Sequence, residues 1–191
     1  MKKLSITLLV LFISAVNLAQ EKLDVNTSKS SIKWNGEYAF YFGGHNGVIN
    51  LKQGHFIKTK GKITGGEFII DMTSIKSLDI DDEKGRASLD KHLKDKDFFE
   101  VNKFPIAKLV FTDVIYETNN ELKIYANLTI KEITSSINFR AEINFEKEEM
   151  TTKFKIDRTI WGVTYNSKEI EGKLKDGLIS DAIGFEVKLN L

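Results

Sequence analysis

The chain has 191 residues, and its 28 basic and 27 acidic side chains are interleaved along its length. This balance argues against a function that depends on electrostatic binding to nucleic acid or to an anionic membrane surface. The chain has no cysteine, which excludes disulfides and an acylated lipoprotein start, so stability has to come from core burial alone.

The N-terminal segment predicts export. Lys2 and Lys3 precede an apolar run of about a dozen residues, which ends at the small residue Ala19. A basic head, a short apolar run and a small residue at the exit are typical of a secretory signal peptide. An uncleaved membrane anchor is the alternative, but the run is too short to span a bilayer comfortably. We therefore predict a signal peptide at residues 1–19, one domain at residues 20–191, and a location in the periplasm or outside a bacterial cell.

Alternation of apolar and polar residues predicts strands through most of the remaining chain. The period of two is clearest at residues 122–131, 137–146 and 183–191, and it indicates antiparallel strands with one buried face each. In chain order, the predicted strands are residues 31–34, 38–42, 48–57, 66–72, 106–116, 122–131, 137–146, 152–156 and 183–191. Eight or nine such strands can bury their apolar faces as a two-sheet sandwich or as a closed barrel, and closure also removes exposed edges.

Two shorter segments interrupt the strands. Residues 81–96 are charged and place Leu89, His92 and Leu93 at helical spacing, which predicts one short amphipathic helix. Residues 61–66 are glycine-rich but lack the spacing of a phosphate-binding loop, so we interpret them as a tight hairpin between two strands.

The apolar faces combine bulky and small side chains. The chain has 13 phenylalanines, most of them in predicted strands, and Gly66, Ala107, Ala126 and Ala141 lie on the same faces. Bulky walls beside small gaps can enclose a tube, or they can interdigitate into a solid core. The composition of these faces leaves both arrangements open.

Little in the sequence predicts catalysis. There is no nucleophile elbow and no phosphate loop, and Asp157 with Arg158 is read as a hydrogen-bonded pair that holds a strand end. His45, His55 and His92 are the only histidines, and with Asp90 or Asp97 they could form a metal site. We predict no catalytic residue, no metal and no cofactor, with a metal-dependent enzyme as the alternative.

Four segments resemble the YceI-like family. The longest is Leu-Asp-Lys-His-Leu-Lys-Asp-Lys-Asp-Phe-Phe-Glu-Val-Asn-Lys-Phe-Pro at residues 89–105, and its Asp-Phe-Phe string is quite specific. Residues 69–75, 128–134 and 156–163 follow the family pattern in the same order, so the resemblance extends over roughly residues 30–191. Glu132 departs from the pattern, because the family usually has glycine at this position of the turn.

The resemblance implies a fold and a ligand class. It implies an all-β, lipocalin-like, extended antiparallel barrel of about eight strands with one short helix. It also implies an elongated cavity for a long-chain apolar or amphiphilic molecule, such as a polyisoprenoid, a quinone-like molecule or a fatty amide. The function expected is an exported binding protein that sequesters or carries this molecule. A structural envelope-stress protein with a filled core is a further alternative.

We expect the ligand to contact side chains of the apolar faces and of the longest family segment. The predicted ligand-binding residues are Phe40, Phe42, Phe68, Phe98, Phe99, Phe104, Phe111, Leu128, Phe139 and Trp161. Phe98, Phe99 and Trp161 at the mouth of the barrel would form an apolar patch, which suits a homodimer contact or a transient membrane contact. No nucleic acid is expected as a partner.

Overall fold

The computed structural model describes residues 20–40, 42–167 and 178–191, and the predicted signal peptide lies outside them. These residues form nine strands, one α-helix (α1) and one 3-10 turn. In chain order the elements are β1 Gln20–Asp24, β2 Ser31–Tyr38, β3 Gly44–Thr59, β4 Lys62–Ser77, α1 Glu83–Lys94, β5 Ile106–Tyr116, β6 Glu121–Ile130, β7 Ile133–Asn144, β8 Glu149–Asp157, the 3-10 turn Arg158–Trp161, and β9 Ile179–Asn190.

Strands β2 to β9 close into an antiparallel barrel. The order around the barrel is β3, β2, β9, β8, β7, β6, β5 and β4, and β4 then pairs with β3 again. β3 is 16 residues long, and two strands pair with it along the same edge. Its first half pairs with β2 and its second half with β1. The structure confirms the predicted antiparallel barrel of about eight strands.

Two hairpins close with two-residue loops in the left-handed region of backbone conformation. Lys60 and Gly61 join β3 to β4 with φ values of 51° and 80°, and Lys131 and Glu132 join β6 to β7 with 49° and 63°. Positive φ at both loop residues is the type I′ geometry, whose twist matches that of the flanking strands. The hairpin predicted from the glycine-rich residues 61–66 is confirmed, with its turn at Lys60 and Gly61.

Two strand predictions need correction, and one strand was not predicted. The predicted strand at residues 38–42 is wrong, because β2 ends at Tyr38 and the N–H of Tyr38 donates to the carbonyl of Gly43 across a loop. The strand predicted at residues 137–146 lies at residues 133–144, and Phe145 is exposed in the following turn. β1 was not predicted, since its five residues are mostly polar and it exists through its pairing with β3.

The predicted helix is present at Glu83–Lys94 and begins beside Asp82, whose carboxylate accepts the backbone N–H of Gly85. Because α1 follows β4, it lies at the barrel end where β2 ends and β3 begins, which we call the helical end. The carboxylate of Asp90 fastens α1 to β4 by accepting both the N–H and the hydroxyl of Ser77 at 2.7 Å. Among the described residues, no helix is long and apolar enough to cross a membrane.

Candidate functional site

The barrel encloses an apolar cavity of about 220 Å³. Every barrel strand contributes to its wall, and α1 and the segment after it line the cavity at the helical end. The lining side chains are Ile32, Trp34, Ile49, Leu51, Phe68, Ile70, Met72, Ile75, Leu89, Leu93, Phe98, Phe99, Ala107, Leu109, Phe111, Leu128, Ile130, Phe139, Met150, Phe154, Ile156, Ile179, Ile183, Phe185, Val187 and Leu189, with Gly36, Glu37, Tyr38, Gly44, His45, Thr152 and Arg158. The inward faces of the strands therefore enclose a space and do not fill it completely.

Aromatic rings make up much of the wall. Phe68 and Phe111 lie with ring centroids 5.2 Å apart, while Phe154 stacks on Phe139 at 4.7 Å and on Phe185 at 5.4 Å. Contacts of this kind add to the hydrophobic gain of burial and restrict the rings to defined positions. Three rings thus form a continuous stack on the β7–β8–β9 side of the wall.

Six of the predicted ligand-binding residues line the cavity: Phe68, Phe98, Phe99, Phe111, Leu128 and Phe139. Phe98 and Phe99 both reach it, although adjacent residues in an extended chain would point to opposite sides. They lie outside regular strand, in the turns that follow α1. Their roles as ligand contacts stay predictions.

The other four predicted residues lie elsewhere. Trp161 is buried behind the wall, where its indole N–H donates to the carbonyl of Leu128 at 3.1 Å. Phe104 is half-buried under the ammonium group of Lys103. Phe40 and Phe42 are 58% and 108% exposed in the loop between β2 and β3. They therefore lie at the helical end, beside the opening of the cavity, which we call the mouth.

Several aromatic residues of the wall are not among the predicted ligand-binding residues. Trp34, Phe154 and Phe185 line the cavity, and each lies in a strand that was predicted. The period of two places Phe154 and Phe185 on inward faces, as it does Phe139. The alternation of apolar and polar residues is therefore the signal that identifies these wall residues.

A polar cluster lies at the mouth, at the helical end. His45 is opposite Gly36 in the β2–β3 register and lines the cavity with Tyr38. The Nδ1 atom of His45 is 2.9 Å from Oδ2 of Asp79, and its Nε2 atom is 3.5 Å from the hydroxyl oxygen of Tyr38. The other oxygen of Asp79 accepts the backbone N–H of Asn46 at 3.2 Å. Burial opposes the charge on Asp79, but the hydrogen bonds from His45 and Asn46 outweigh it and lower the pKa of Asp79.

The remaining histidines do not join this cluster. The ring of His92 contacts the rings of Phe98 and Tyr165 edge-on, at centroid distances of 5.0 and 4.6 Å. His55 lies ten residues further along β3, opposite Asp24 and Glu67. Within residues 20–40, 42–167 and 178–191, no group of three His, Cys, Asp or Glu side chains is placed to hold one metal ion.

Arg158 is a buried cation on the cavity wall. Its guanidinium donates to the carbonyls of Val163, Ser180 and Ile179 at 2.6, 3.1 and 3.3 Å, and to the carboxylate of Asp181 at 3.5 Å. Burial lowers the pKa of Arg158, and the charge of Asp181 opposes this shift.

The predicted pairing of Arg158 with Asp157 is wrong, because the exposed carboxylate of Asp157 instead accepts the N–H and hydroxyl of Thr159.

Comparisons with known proteins agree with this architecture. A family model described as the YceI-like domain matches residues 23–191. A UPF0312 protein of Shewanella denitrificans is 29% identical over 131 residues, which are 67% of this chain and 64% of that protein. The match therefore extends over less than two thirds of the length of this curated relative.

Solved structures share the fold at low sequence identity. The structure of BcnA from Burkholderia cenocepacia superimposes with a TM-score of 0.64 at 16% identity, covering 86% of this chain and 98% of that one. A polyisoprenoid binding domain from Saccharophagus degradans superimposes with a TM-score of 0.56 at 10% identity, covering 90% and 97% of the two chains. At these identities the likeness concerns the fold alone.

Proposed function

This chain belongs to the YceI-like domain family, and we propose that it is an exported protein that carries or buffers a long-chain apolar or amphiphilic molecule inside its barrel. The observation that carries the proposal is the apolar cavity enclosed by all eight barrel strands. The action proposed is binding and not catalysis. The ligand classes proposed are polyisoprenoids, quinone-like molecules and fatty amides.

The size of the cavity favours a slim ligand. Its volume of about 220 Å³ is below the ~300–1,000 Å³ of common small-molecule sites. An apolar cavity of ~150 Å³ is nevertheless large enough to hold benzene. Each methylene group removed from water contributes about 0.8 kcal/mol before the costs of association. A narrow chain threaded along the barrel therefore suits this space better than a broad, rigid ligand.

The likeness to the Saccharophagus degradans protein, a polyisoprenoid binding domain, supports a polyisoprenoid among these ligand classes. An isoprenoid chain is long, narrow and apolar, which are the properties that the cavity favours. The polar end of such a molecule would remain at the mouth, next to Tyr38 and His45.

Exposed apolar residues at the mouth support transient contact with a membrane. Phe40, Phe42 and Leu78 are all more than half exposed, and the N–H of Leu78 donates to the carbonyl of Asn46 beside His45. Large apolar side chains grouped at the entrance of a lipid-binding site would shield a chain as it moves between the bilayer and the barrel. Replacing Phe40 and Phe42 by serine should slow ligand uptake from vesicles. Ile115→Ser, a similar change at the opposite end of the barrel, should not.

The proposal is tested on protein purified from its own envelope fraction, by native mass spectrometry followed by solvent extraction. We expect a stoichiometric long-chain molecule to be released, and a polypeptide mass that begins at residue 20. A bare protein that also fails to take up polyprenyl and fatty amide chains would overturn the carrier function. A full-length mass would contradict cleavage after residue 19.

A further inference from the structure

The mouth of the cavity carries a hydrogen-bonding arrangement that the apolar wall does not explain. Tyr38 ends β2, His45 is the second residue of β3 and Asp79 follows β4. Three separate strands thus bring one polar group each to the entrance. A long-chain ligand in the barrel would place its polar end among them.

Asp79 determines how the imidazole of His45 is presented. A carboxylate only accepts hydrogen bonds, so the 2.9 Å contact between Oδ2 of Asp79 and Nδ1 of His45 requires the proton on Nδ1. In the neutral imidazole, Nε2 then carries the lone pair and acts as an acceptor. Asn46 holds the other carboxylate oxygen by its backbone N–H, so the side chain of Asp79 cannot easily turn away.

The imidazole of His45 is partly exposed at the mouth. The His45 side chain is 36% exposed, and its Nε2 atom is 3.5 Å from the hydroxyl of Tyr38, which is the outer limit of a hydrogen bond. A hydroxyl or amide group of a ligand placed here could donate to Nε2 and also contact the hydroxyl of Tyr38. Nε2 of His45 can thus accept a hydrogen bond from a donor group at the mouth.

The charges near the mouth disfavour an anion. Asp79 is held in its charged form behind His45, and it would repel a carboxylate or phosphate head group. Among the described lining residues, Arg158 is the only Lys or Arg side chain. Its guanidinium already donates to three carbonyls and to Asp181.

The geometry points to a head-group site at His45 and Tyr38 that selects long-chain molecules ending in an uncharged hydrogen-bond donor, such as an alcohol or a primary amide. The inference rests on the proposed lipid-binding function and specifies its ligand class. His45 and Tyr38 contact the head group, and Asp79 is a positioning residue that fixes the imidazole.

The test compares four probes with the same twelve-carbon chain: dodecan-1-ol, dodecanamide, methyl dodecanoate and dodecanoate. They compete for the delipidated full-length mature protein at about pH 8, and native mass spectrometry measures the bound fractions. We expect the alcohol and the amide to bind at least tenfold more tightly than either the uncharged ester, which only accepts, or the anion. Equal affinities would overturn the inference and leave the carrier function intact. Failure of all four probes to bind would overturn the inference, and failure to take up polyprenyl chains as well would overturn the carrier function.

Variants separate a role in head-group binding from a role in folding. His45→Phe keeps an aromatic ring but removes the acceptor, so the preference for the alcohol over the ester should disappear while the ester still binds. Asp79→Asn should shift the ratio towards the ester and the anion, because the imidazole can then present an N–H. His55→Phe makes the same change on β3 away from the cavity and should leave the ratio unchanged. A preference for dodecanoate that His45→Phe abolishes would identify an anion site and contradict the inference.

Discussion

Arg158 and Asp181 form an ion pair that is almost completely removed from solvent. Their side chains are 1% and 8% exposed, and the guanidinium nitrogen is 3.5 Å from the carboxylate oxygen. Arg158 begins the 3-10 turn after β8, while Asp181 lies in β9. The pair and the three carbonyls that Arg158 binds therefore fasten the helical end of the barrel across the β8–β9 connection.

Removing Arg158 should destabilise the barrel strongly. Arg158→Met leaves Asp181 and three carbonyls without the guanidinium, and loss of one partner of a buried pair costs about 3–5 kcal/mol. Urea denaturation should show a fall of that size in the free energy of unfolding. Arg140→Met is the matched control, because its pair with Glu117 is on the surface and such pairs contribute little. Equal effects of the two substitutions would refute a structural role for the buried pair.

The partner of Arg158 in the buried pair could not be predicted from the sequence. Asp157 is next to Arg158 in the chain, and that proximity suggested a pair which the structure does not contain. The true partner, Asp181, is 23 residues away, in the first part of β9, which precedes the predicted strand at residues 183–191. A partner supplied by another strand depends on register and on connections, which residue periodicity does not encode.

Periodicity was sufficient where one face of a strand is buried along its whole length. In β6, the residues Leu122, Ile124, Ala126, Leu128 and Ile130 are all buried, as predicted. Phe40 and Phe42 have the same spacing, but they lie in a loop after β2 and point to solvent. The exposed position of a phenylalanine in a loop cannot be read from its hydrophobicity.

The hydroxyl of Tyr116 is predicted to contribute to stability through a single hydrogen bond. It accepts the backbone N–H of Ile63 at 2.7 Å, and the side chain of Ile63 is fully buried. Tyr116→Phe leaves that N–H without its partner, so the free energy of unfolding should fall by about 1–2 kcal/mol. Tyr125→Phe, on the outer face beside Lys123, should change it little. No loss in Tyr116→Phe, measured by urea denaturation, would show that solvent replaces the hydroxyl.

Replacing Glu132 in the β6–β7 turn by glycine should stabilise the protein. Glu132 has φ of 63°, a conformation that costs residues with a Cβ about 1 kcal/mol and that glycine adopts freely. Glu132→Gly should therefore raise the free energy of unfolding by up to about 1 kcal/mol. Glu142→Gly makes the same change within β7, where Glu142 pairs with Glu121 and Thr151, and should lower it by about 0.5–1 kcal/mol. Thermal or urea unfolding that moves both variants in the same direction would contradict the left-handed geometry of the turn.

The pair of His45 and Asp79 should make the stability of the barrel depend on acidity. The folded-state pKa of Asp79 is lower than its reference value of 3.8, so the folded chain binds this proton less readily than the unfolded chain. The resulting contribution is fully present above the unfolded pKa and is lost as the pH falls through the folded pKa. Unfolding measured in steps from about pH 5 to pH 2.5 should therefore be less sensitive to acid in Asp79→Asn than in the parent protein.

His45→Phe should flatten the acid dependence in the same way, because it removes the strongest hydrogen bond that lowers the pKa of Asp79. The double variant should then behave like either single variant, since both changes remove one interaction. Additive effects of the two substitutions, or curves that stay parallel to that of the parent, would show that the pair is not the source of the acid dependence.

A substitution that fills part of the cavity should lower the affinity for the ligand but change the free energy of unfolding little. Ala107 is 4% exposed and lines the cavity from β5, so Ala107→Leu adds three carbon atoms to a space that is partly empty. The new side chain gains apolar contacts, and the free energy of unfolding should change by less than about 1.5 kcal/mol. It also occupies the path of a threaded chain, so the affinity for dodecan-1-ol should fall at least tenfold.

Ala87→Leu, the same substitution on the exposed face of α1, should leave that affinity unchanged. Undiminished binding in Ala107→Leu would mean that the chain lies elsewhere than in the barrel, because a narrow tube cannot hold both the leucine and the ligand at the same point.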